Sequence, residues 1–315
     1  ILTALIPITL GVALIWISAE KLEKYSISSA KKFGMSPFLI GSTVIAFGTS
    51  APEILTSFFA GLESKGPMII GNVIGSNVAN LSLVFGLTVF IIALKGKIIK
   101  QDSLVVNNLF ILLASTFLIW AVIATNPFSI ISSFILLLSL VLIILFWFKT
   151  NNATNIESEQ INENFITLKL IASLSVLIFA AWMIIFGATN ILDEFSISEV
   201  FVGYTVLAIG TSLPEIAAAS SLALKGRYET VAGTLIGSNI FNSLCVLAIP
   251  GLFNSPEMSS GWSYSNWSLL LLALISITLC FSYYIFSVTK KPRKASLILG
   301  MVFIGSYFLS LAFAF

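Results

Sequence analysis

Long apolar stretches, separated by short polar ones, dominate the chain. A membrane-spanning helix needs about 20 apolar residues, and stretches of that kind lie near 2–20, 37–62, 68–94, 103–124, 127–148, 165–191, 199–224, 230–253, 264–288 and 295–314. The pattern predicts an all-α polytopic membrane protein with ten transmembrane helices. The opening stretch lacks a basic start and a small-residue cleavage site, so we expect a spanning helix there rather than a signal peptide.

The basic residues alternate between the two sides of these helices. Fifteen of the sixteen Lys and Arg residues fall in odd-numbered connections, and Lys65 alone falls in an even-numbered one. Because cytoplasmic connections are enriched in Lys and Arg, this alternation supports the ten-helix count. It predicts cytoplasmic odd connections and a multi-pass protein of the cell membrane with both termini outside.

One polar linker divides the chain into two halves. Residues 149–164 are rich in Asn and Glu and too few to fold as a domain. They separate a five-helix unit at 1–148 from a second at 165–315. Since five is odd, the second half enters the membrane from the opposite side, as in transporters with inverted repeats.

The two halves also share sequence. Residues 41–80 and 203–242 align without a gap and are identical at 17 of 40 positions. The identities include the motif Gly-Thr-Ser-x-Pro-Glu, found at Gly48–Glu53 and again at Gly210–Glu215. Polar residues and proline kept in register within apolar sequence indicate an internal duplication.

Composition narrows the chemistry. The chain is 57% hydrophobic and 10% charged, with a mean hydropathy of +1.03, and it has no histidine. It lacks the basic, aromatic surface that nucleic-acid binding requires. Without histidine there is no Ser–His nucleophile, and Asp102 and Asp193 lie near helix ends, which argues against an intramembrane protease. We therefore expect no enzyme activity, no catalytic residues and no cofactor.

Two acidic residues lie in the middle of predicted helices two and seven. Glu53 and Glu215 occupy equivalent positions of the repeat. An ionisable group at membrane depth costs several kcal/mol and usually marks a function. A protonated carboxyl buried in a kink is the structural alternative, but the same costly residue at two equivalent positions favours a functional site.

A proline precedes each of these glutamates. Pro52 and Pro214 have no N–H, so the carbonyls four residues earlier lose their helical donors. We therefore expect helices two and seven to break near Gly48–Ala51 and Gly210–Leu213. Broken helices at membrane depth line protein cavities, and the break is expected to free the backbone carbonyls of Ala46, Thr49, Ala208 and Thr211.

Further oxygen-bearing side chains fall on the faces of these helices and the next ones. Residues four apart share a helix face, which pairs hydroxyls with carboxylates and amides as Thr49 with Glu53, Thr211 with Glu215, Ser76 with Asn80, and Ser238 with Asn242. The motifs Gly71-x-x-x-Gly75 and Gly233-x-x-x-Gly237 indicate close helix packing. Asn77 and Asn239 point elsewhere, and we expect structural hydrogen bonds from them.

These oxygens predict a site for hard cations. Carboxylate, hydroxyl, amide and carbonyl oxygens suit Ca²⁺ and Na⁺, whereas zinc and copper prefer His and Cys. Two ionised glutamates neutralise one Ca²⁺, and they can also hold two or three Na⁺ or two protons. The pattern therefore predicts an antiporter of Ca²⁺ and Na⁺, with an H⁺/Ca²⁺ antiporter and a cation channel as alternatives.

The two motifs in each half, Gly-Thr-Ser-x-Pro-Glu and Gly-x-x-x-Gly-Ser-Asn, resemble the α-repeats of the calcium/cation antiporter superfamily, especially prokaryotic sodium/calcium exchanger-like proteins. The resemblance implies Ca²⁺ ligation by Glu53 and Glu215, and sliding of helices one and six to alternate access. It implies further Na⁺ or Ca²⁺ oxygens from Thr49, Thr211, Ser50, Ser212, Ser76, Ser238 and the carbonyls of Ala46 and Ala208, with Asn80 and Asn242 lining the centre.

One position departs from part of that family. Some archaeal members carry Asp where this chain has Asn242, so the centre here holds only two acidic groups, which bears on the choice of coupling ion. The short linker also excludes the large cytoplasmic regulatory domains of animal exchangers. We expect the lipid bilayer as the surroundings and no nucleic-acid or protein partner.

Overall fold

The computed structural model describes part of the positions between 6 and 28, then residues 35–96, 103–150, 165–192, 203–253, 258 and 292–313. These residues are almost entirely helical. The described positions between 6 and 28 are helical as well, within and just beyond the predicted first helix. The predicted ninth helix at 264–288 and nearly all of the linker lie outside the described residues.

The described helices follow the predicted apolar stretches to within a few residues. They are α1 (Pro37–Thr49), α2 (Ala51–Leu62), α3 (Gly66–Leu94), α4 (Ser103–Thr125), α5 (Ile130–Thr150), α6 (Ile166–Leu192), α7 (Gly203–Thr211), α8 (Leu213–Leu224), α9 (Tyr228–Gly251) and α10 (Pro292–Phe313). Within these residues five helices are long and apolar enough to cross a membrane, and seven are when the bent pairs α1–α2 and α7–α8 each count as one span.

The two bent pairs break where the prolines predict. α1 and α2 meet at Ser50, α7 and α8 meet at Ser212, and each pair bends by 42°. Ser50 has φ −83° and ψ 1°, and Ser212 has φ −81° and ψ −1°, so both depart from helical geometry in the same way. The prediction of broken helices is confirmed at both positions.

Four short π-helical segments interrupt the α-helices, at Gly41–Ile45, Asn80–Val84, Gly203–Leu207 and Asn242–Val246. They form two pairs at equivalent positions of the repeat. A π-helical turn inserts an extra residue, changes the direction of the side chains that follow, and is frequent at functional sites. The apolar periodicity did not predict them.

Each half packs its broken helix on a helix of the other half. α1 lies against α9, and α7 lies against α3. A Cβ atom added at Gly237 would lie 2.5 Å from the carbonyl oxygen of Ser42, and one at Gly75 would lie 2.6 Å from that of Tyr204. The backbones therefore touch, as the glycine motifs predict, and the two halves are interlocked around α3 and α9.

Contacts at the helix ends give the relative directions. Lys95, just after α3, donates a hydrogen bond from its Nζ to the carbonyl of Leu224, at the end of α8. Arg293, at the start of α10, donates from its Nε to the carbonyl of Ala93 at 3.1 Å. Both cations meet the carboxyl end of a helix, where the helix dipole favours positive charge. One end of the bundle therefore holds the ends of α3 and α8 and the start of α10.

The opposite end of the bundle holds the carboxyl ends of α2 and α9. A Cβ added at Gly61 of α2 would lie 3.0 Å from the Cβ of Pro250, near the end of α9. Because α3 starts just after α2 ends and finishes beside the end of α8, α2 and α8 run in opposite directions. The two glutamate-bearing segments are thus antiparallel.

The outer helices present apolar side chains to the surroundings. On α5, Ile131 is 73% exposed and Phe134 is 67% exposed. On α6, Phe179, Trp182 and Phe186 form an exposed stack of rings. Such continuous exposed apolar faces fit a lipid environment, whereas α3 and α9 are buried along most of their length.

Candidate ion-binding site

Glu53 and Glu215 lie in the first turn of α2 and of α8, directly after the two breaks. Neither side chain is exposed. The break places each carboxylate at the amino end of a helix, where backbone N–H groups and the helix dipole favour negative charge. The local sequence thus explains how a buried acidic group is tolerated at both positions.

The two halves meet through paired hydroxyls around these carboxylates. Thr49 Oγ1 lies 3.1 Å from Ser238 Oγ, and Ser76 Oγ lies 3.5 Å from Thr211 Oγ1. Each pair joins a break to α3 or α9 of the other half, and the two pairs are equivalent in the repeat. Four of the sequence-predicted residues are therefore brought together across the interface between the halves.

The carboxylates themselves also face the opposite half. Ser50 donates a hydrogen bond to Glu215 Oε1 at 3.3 Å, and the hydroxyls of Thr49 and Ser238 also face that carboxylate. Glu53 faces Thr211, and the two glutamates are near enough to repel each other as charges. Two like charges buried together need a positive counter-charge or a proton.

Many buried oxygens in this region have no hydrogen-bond partner among the described residues. They include both carboxylate oxygens of Glu53, Oε2 of Glu215 and the hydroxyl of Ser212. The side-chain oxygens of Asn80 and Asn242 also have no partner among the described residues. Buried polar atoms are normally paired, and a cation held between these oxygens would satisfy them. The residues therefore fit a hard-cation substrate.

The prediction that the helix breaks free the carbonyls of Ala46 and Ala208 is wrong. They are not freed by the break, because Ser50 N–H donates to Ala46 at 2.9 Å and Ser212 N–H donates to Ala208 at 3.1 Å. The proline removes a donor only from the carbonyl four residues before it, so these two keep their partners. A carbonyl oxygen has a second lone pair, through which Ala208 can still bind a cation. At Ala46 the same lone pair accepts from Thr49 Oγ1 at 3.3 Å, so a cation there would have to replace that hydrogen bond.

The carbonyls of Thr49 and Thr211, which were also expected to be free, differ from those of Ala46 and Ala208. Among the described residues, no backbone N–H across either break donates to these two oxygens. Together with the carbonyls of Gly48 and Gly210, which lose the donor that proline lacks, they are the backbone oxygens that the breaks can offer to a ligand. The error on Ala46 and Ala208 came from treating the whole turn as opened, while only its last residues are.

The four asparagines in and just after the two Gly-Ser-Asn motifs are of two kinds. Asn80 and Asn242 are fully buried and begin the π-helical segments of α3 and α9. Asn77 Nδ2 donates to Ser243 Oγ at 2.8 Å, and Asn239 Nδ2 donates to the carbonyl of Leu235 at 2.7 Å. The prediction of structural hydrogen bonds for the latter pair is confirmed.

The structure adds two polar residues, Ser57 and Asn72, that were not predicted from the sequence. Asn72 Nδ2 donates to Ser57 Oγ at 3.4 Å, and Ser76 Oγ donates to Asn72 Oδ1 at 3.4 Å. Both Ser57 and Asn72 are buried. Spacing could have revealed them, because Ser57 lies four residues after Glu53 and Asn72 four before Ser76, which places each on the face of a predicted ligand.

The donor set has a clear chemical character. Within the described ranges no group of three or more His, Cys, Asp or Glu side chains comes together. Two carboxylates surrounded by neutral oxygens suit Ca²⁺ and Na⁺, which bind oxygen ligands in flexible geometry.

Comparison with known proteins agrees with this chemistry. The sequence model of the family described as "Sodium/calcium exchanger protein" matches residues 3–149 and 165–315. The chain belongs to the sodium/calcium exchanger family. As a member of that family it is a membrane antiporter.

Relatives and solved structures cover nearly the whole chain. A putative antiporter CaxA of Alkalimonas amylolytica is 30% identical over 98% of this chain and 98% of its own length. The sodium/calcium exchanger MaX1 of Methanosarcina acetivorans is 26% identical over 85% of this chain and 95% of its own. The structure of the sodium-calcium exchanger NCX_Mj soaked with 10 mM Na⁺ and 10 mM Sr²⁺ superposes with a TM-score of 0.81 at 29% identity, covering 99% of this chain and 98% of that one.

Proposed function

We propose that this member of the family exchanges Ca²⁺ for Na⁺ as a secondary active antiporter. The observation that carries the proposal is the pair of fully buried glutamates, Glu53 and Glu215, at two helix breaks that face each other across the halves. Relatives named as sodium/calcium exchangers support the same pair of ions.

Charge balance explains why occupancy by one set of ions excludes the other. Two ionised carboxylates carry a charge of −2, which one Ca²⁺ neutralises. Two Na⁺ neutralise it as well, a third would leave a net charge of +1, and neither set of ions leaves room for the other at the same oxygens. An empty site keeps two like charges buried, which is costly, so the protein changes state only when one set is bound.

The ligands we propose are those predicted from the sequence, now with their contacts. Glu53 and Glu215 bind Ca²⁺ and share Na⁺, while neutral oxygens complete the shells. These come from Thr49, Thr211, Ser50, Ser212, Ser76, Ser238, Asn80 and Asn242 and the carbonyls of Ala46 and Ala208. The hydroxyl pairs across the halves support this set.

Alternating access follows from the two antiparallel halves. We propose ten transmembrane helices in two inverted five-helix units, 1–148 and 165–315, joined by a cytoplasmic linker at 149–164. The end of the bundle at which Lys95 and Arg293 cap helix ends would face the cytoplasm, and this supports a cell-membrane orientation with both termini outside. α6, which packs against both breaks, would slide together with the first helix to expose the site to either side.

A transport assay in sealed vesicles tests the choice of coupling ion. The purified chain is reconstituted into proteoliposomes loaded with Ca²⁺, and gradients of Na⁺, K⁺ or H⁺ are imposed one at a time. We expect Ca²⁺ release on addition of external Na⁺ and little response to the other two. Release driven by the proton gradient alone would contradict Na⁺ coupling and favour an H⁺/Ca²⁺ antiporter, while large currents without a counter-ion would indicate a channel.

A further inference from the structure

A line of buried hydrogen bonds reaches the site from the first half. It runs from Ser57 through Asn72 to Ser76, with 3.4 Å between successive polar atoms, and continues to Thr211 at 3.5 Å. All four side chains are at most 1% exposed. The line ends beside Glu53, which faces Thr211.

The described part of the second half has no such line. The equivalents of Ser57 and Asn72 in the repeat are Ala219 and Thr234. Ala219 has no polar side-chain atom, and Thr234 Oγ1 donates within its own helix, to the carbonyl of Thr230 at 2.8 Å. Asn72 accepts the hydrogen of the Ser76 hydroxyl, and neither Ala219 nor Thr234 offers a side-chain acceptor of that kind to Ser238.

The directions of the hydrogen bonds decide what the pair of hydroxyls presents. A hydroxyl has one hydrogen to donate and two lone pairs. Ser76 donates its hydrogen to Asn72 Oδ1, and Thr211 can donate its own to the carbonyl of Leu207 at 2.8 Å. The Ser76 hydrogen is thus directed away from Thr211 Oγ1, so in the 3.5 Å contact between the two hydroxyls Ser76 presents a lone pair and Thr211 is the group that can donate.

Two such oxygens suit a single cation. Ca²⁺ binds oxygens at about 2.3–2.6 Å, so oxygens 3.5 Å apart can contact one ion together. If the Ser76 hydroxyl could turn, its hydrogen would point at Thr211 or at the ion, and the hydroxyl would first have to reorient before it could bind the ion. Because Asn72 already holds the Ser76 hydrogen, the hydroxyl needs no reorientation when the ion binds.

We infer that Asn72, held in place by Ser57, is a positioning residue. It orients the Ser76 hydroxyl so that its oxygen can bind a cation, and it makes the side of the site formed by the first half differ from the side formed by the second half. The inference rests on the proposed function, since it deepens the account of the same site. It assigns no contact between Asn72 and the ion.

The test compares matched substitutions at equivalent positions of the repeat. Asn72→Leu keeps a similar volume and removes both hydrogen bonds. Thr234→Val removes a hydroxyl that bonds only its own helix, and it is the control. In proteoliposomes loaded with Ca²⁺, we expect Asn72→Leu to raise the external Na⁺ concentration for half-maximal release by about fivefold, with the maximal rate unchanged. Thr234→Val should behave as the wild-type chain does.

A double substitution separates positioning from a general effect on folding. If Asn72 acts through Ser76, then adding Asn72→Leu to Ser76→Ala should change the half-maximal Na⁺ concentration no further. Additive effects would overturn the inference, and so would equal values for Asn72→Leu and Thr234→Val. If Asn72→Leu does not fold, Ser57→Ala decides: a rise of about twofold is expected, and a wild-type value overturns the inference. Absence of any exchange by the wild-type chain would instead overturn the proposed function and the inference with it.

Discussion

Replacing Glu215 by glutamine is the sharpest perturbation of the site. Glutamine has nearly the same shape, and its Oε1 can still accept the hydrogen bond that Ser50 donates at 3.3 Å. The substitution therefore removes one negative charge from a fully buried position and leaves the packing in place. Its effect on ion binding can be ascribed to charge.

The magnitude follows from burial. At an effective dielectric constant of about 20, a divalent ion and a carboxylate about 4 Å apart attract each other by roughly 8 kcal/mol. Part of this is recovered because glutamine costs less to bury, and removing one partner of a buried charge pair costs about 3–5 kcal/mol net. We therefore expect Glu215→Gln to weaken Ca²⁺ binding at least about a hundredfold, and to abolish exchange.

Two assays and one control make the prediction specific. Calcium binding is measured on purified protein, and Ca²⁺ release by Na⁺ is measured in proteoliposomes. Glu63→Gln is the matched control, because Glu63 makes an ion pair with Lys65 at 2.5 Å with 60% of its side chain exposed. Exposed pairs contribute little, so this variant should bind and transport normally.

Thermal unfolding checks the fold of the variant. Without ions, Glu215→Gln should unfold at the same temperature as the wild-type chain or higher, because one buried charge is gone. Added Ca²⁺ should raise the unfolding temperature of the wild-type chain but not of the variant. Normal exchange by Glu215→Gln would refute the assignment of the carboxylate to the ion site.

Other positions give equally direct expectations. Asn242→Asp adds a third acidic group to the centre, so the coupling ion or the pH dependence of exchange should change more than Ca²⁺ affinity does; an unchanged profile in gradient assays would argue against a central position. Gly237→Ala should separate α1 from α9, since its Cβ would lie 2.5 Å from Ser42 O, and we expect both the exchange rate and the unfolding temperature to fall. Gly305→Ala is the control, because a Cβ there meets open space, and it should change neither quantity. Pro52→Ala should let the helix re-form and slow exchange, measured as initial Ca²⁺ release; a wild-type rate would show that the break needs no proline.

Local features of the site could be predicted from the sequence. The break at Ser50 follows from proline two residues later, because the missing N–H acts within one turn. The burial of Glu53 follows from its position in the middle of an apolar stretch. The close approach at Gly75 and Gly237 follows from glycines that leave room for a neighbouring backbone.

Features that depend on the other half could not be predicted in this way. The contacts of Thr49 with Ser238 and of Ser50 with Glu215 join residues more than 160 positions apart, and only the assembled bundle brings them together. The π-helical segment beginning at Asn80 has no periodicity of its own in the sequence.

The carbonyls of Ala46 and Ala208 show the limit of local reasoning. Proline removes one donor, and the extent to which the rest of the turn opens depends on the backbone on both sides. Here the turn closes again through Ser50 and Ser212, whose N–H groups return to those carbonyls. Which oxygens remain accessible is thus decided by the backbone angles at Ser50 and Ser212, which residue types do not specify.

Competition between Na⁺ and Ca²⁺ for the purified wild-type chain tests the central claim most directly. Bound Ca²⁺ is measured at equilibrium while Na⁺ replaces choline at constant ionic strength. If both ions use the oxygens around Glu53 and Glu215, Na⁺ should displace Ca²⁺ completely, and more steeply than one Na⁺ per Ca²⁺. Calcium that stays bound at saturating Na⁺, or that binds more tightly, would contradict a shared site and with it the exchange mechanism.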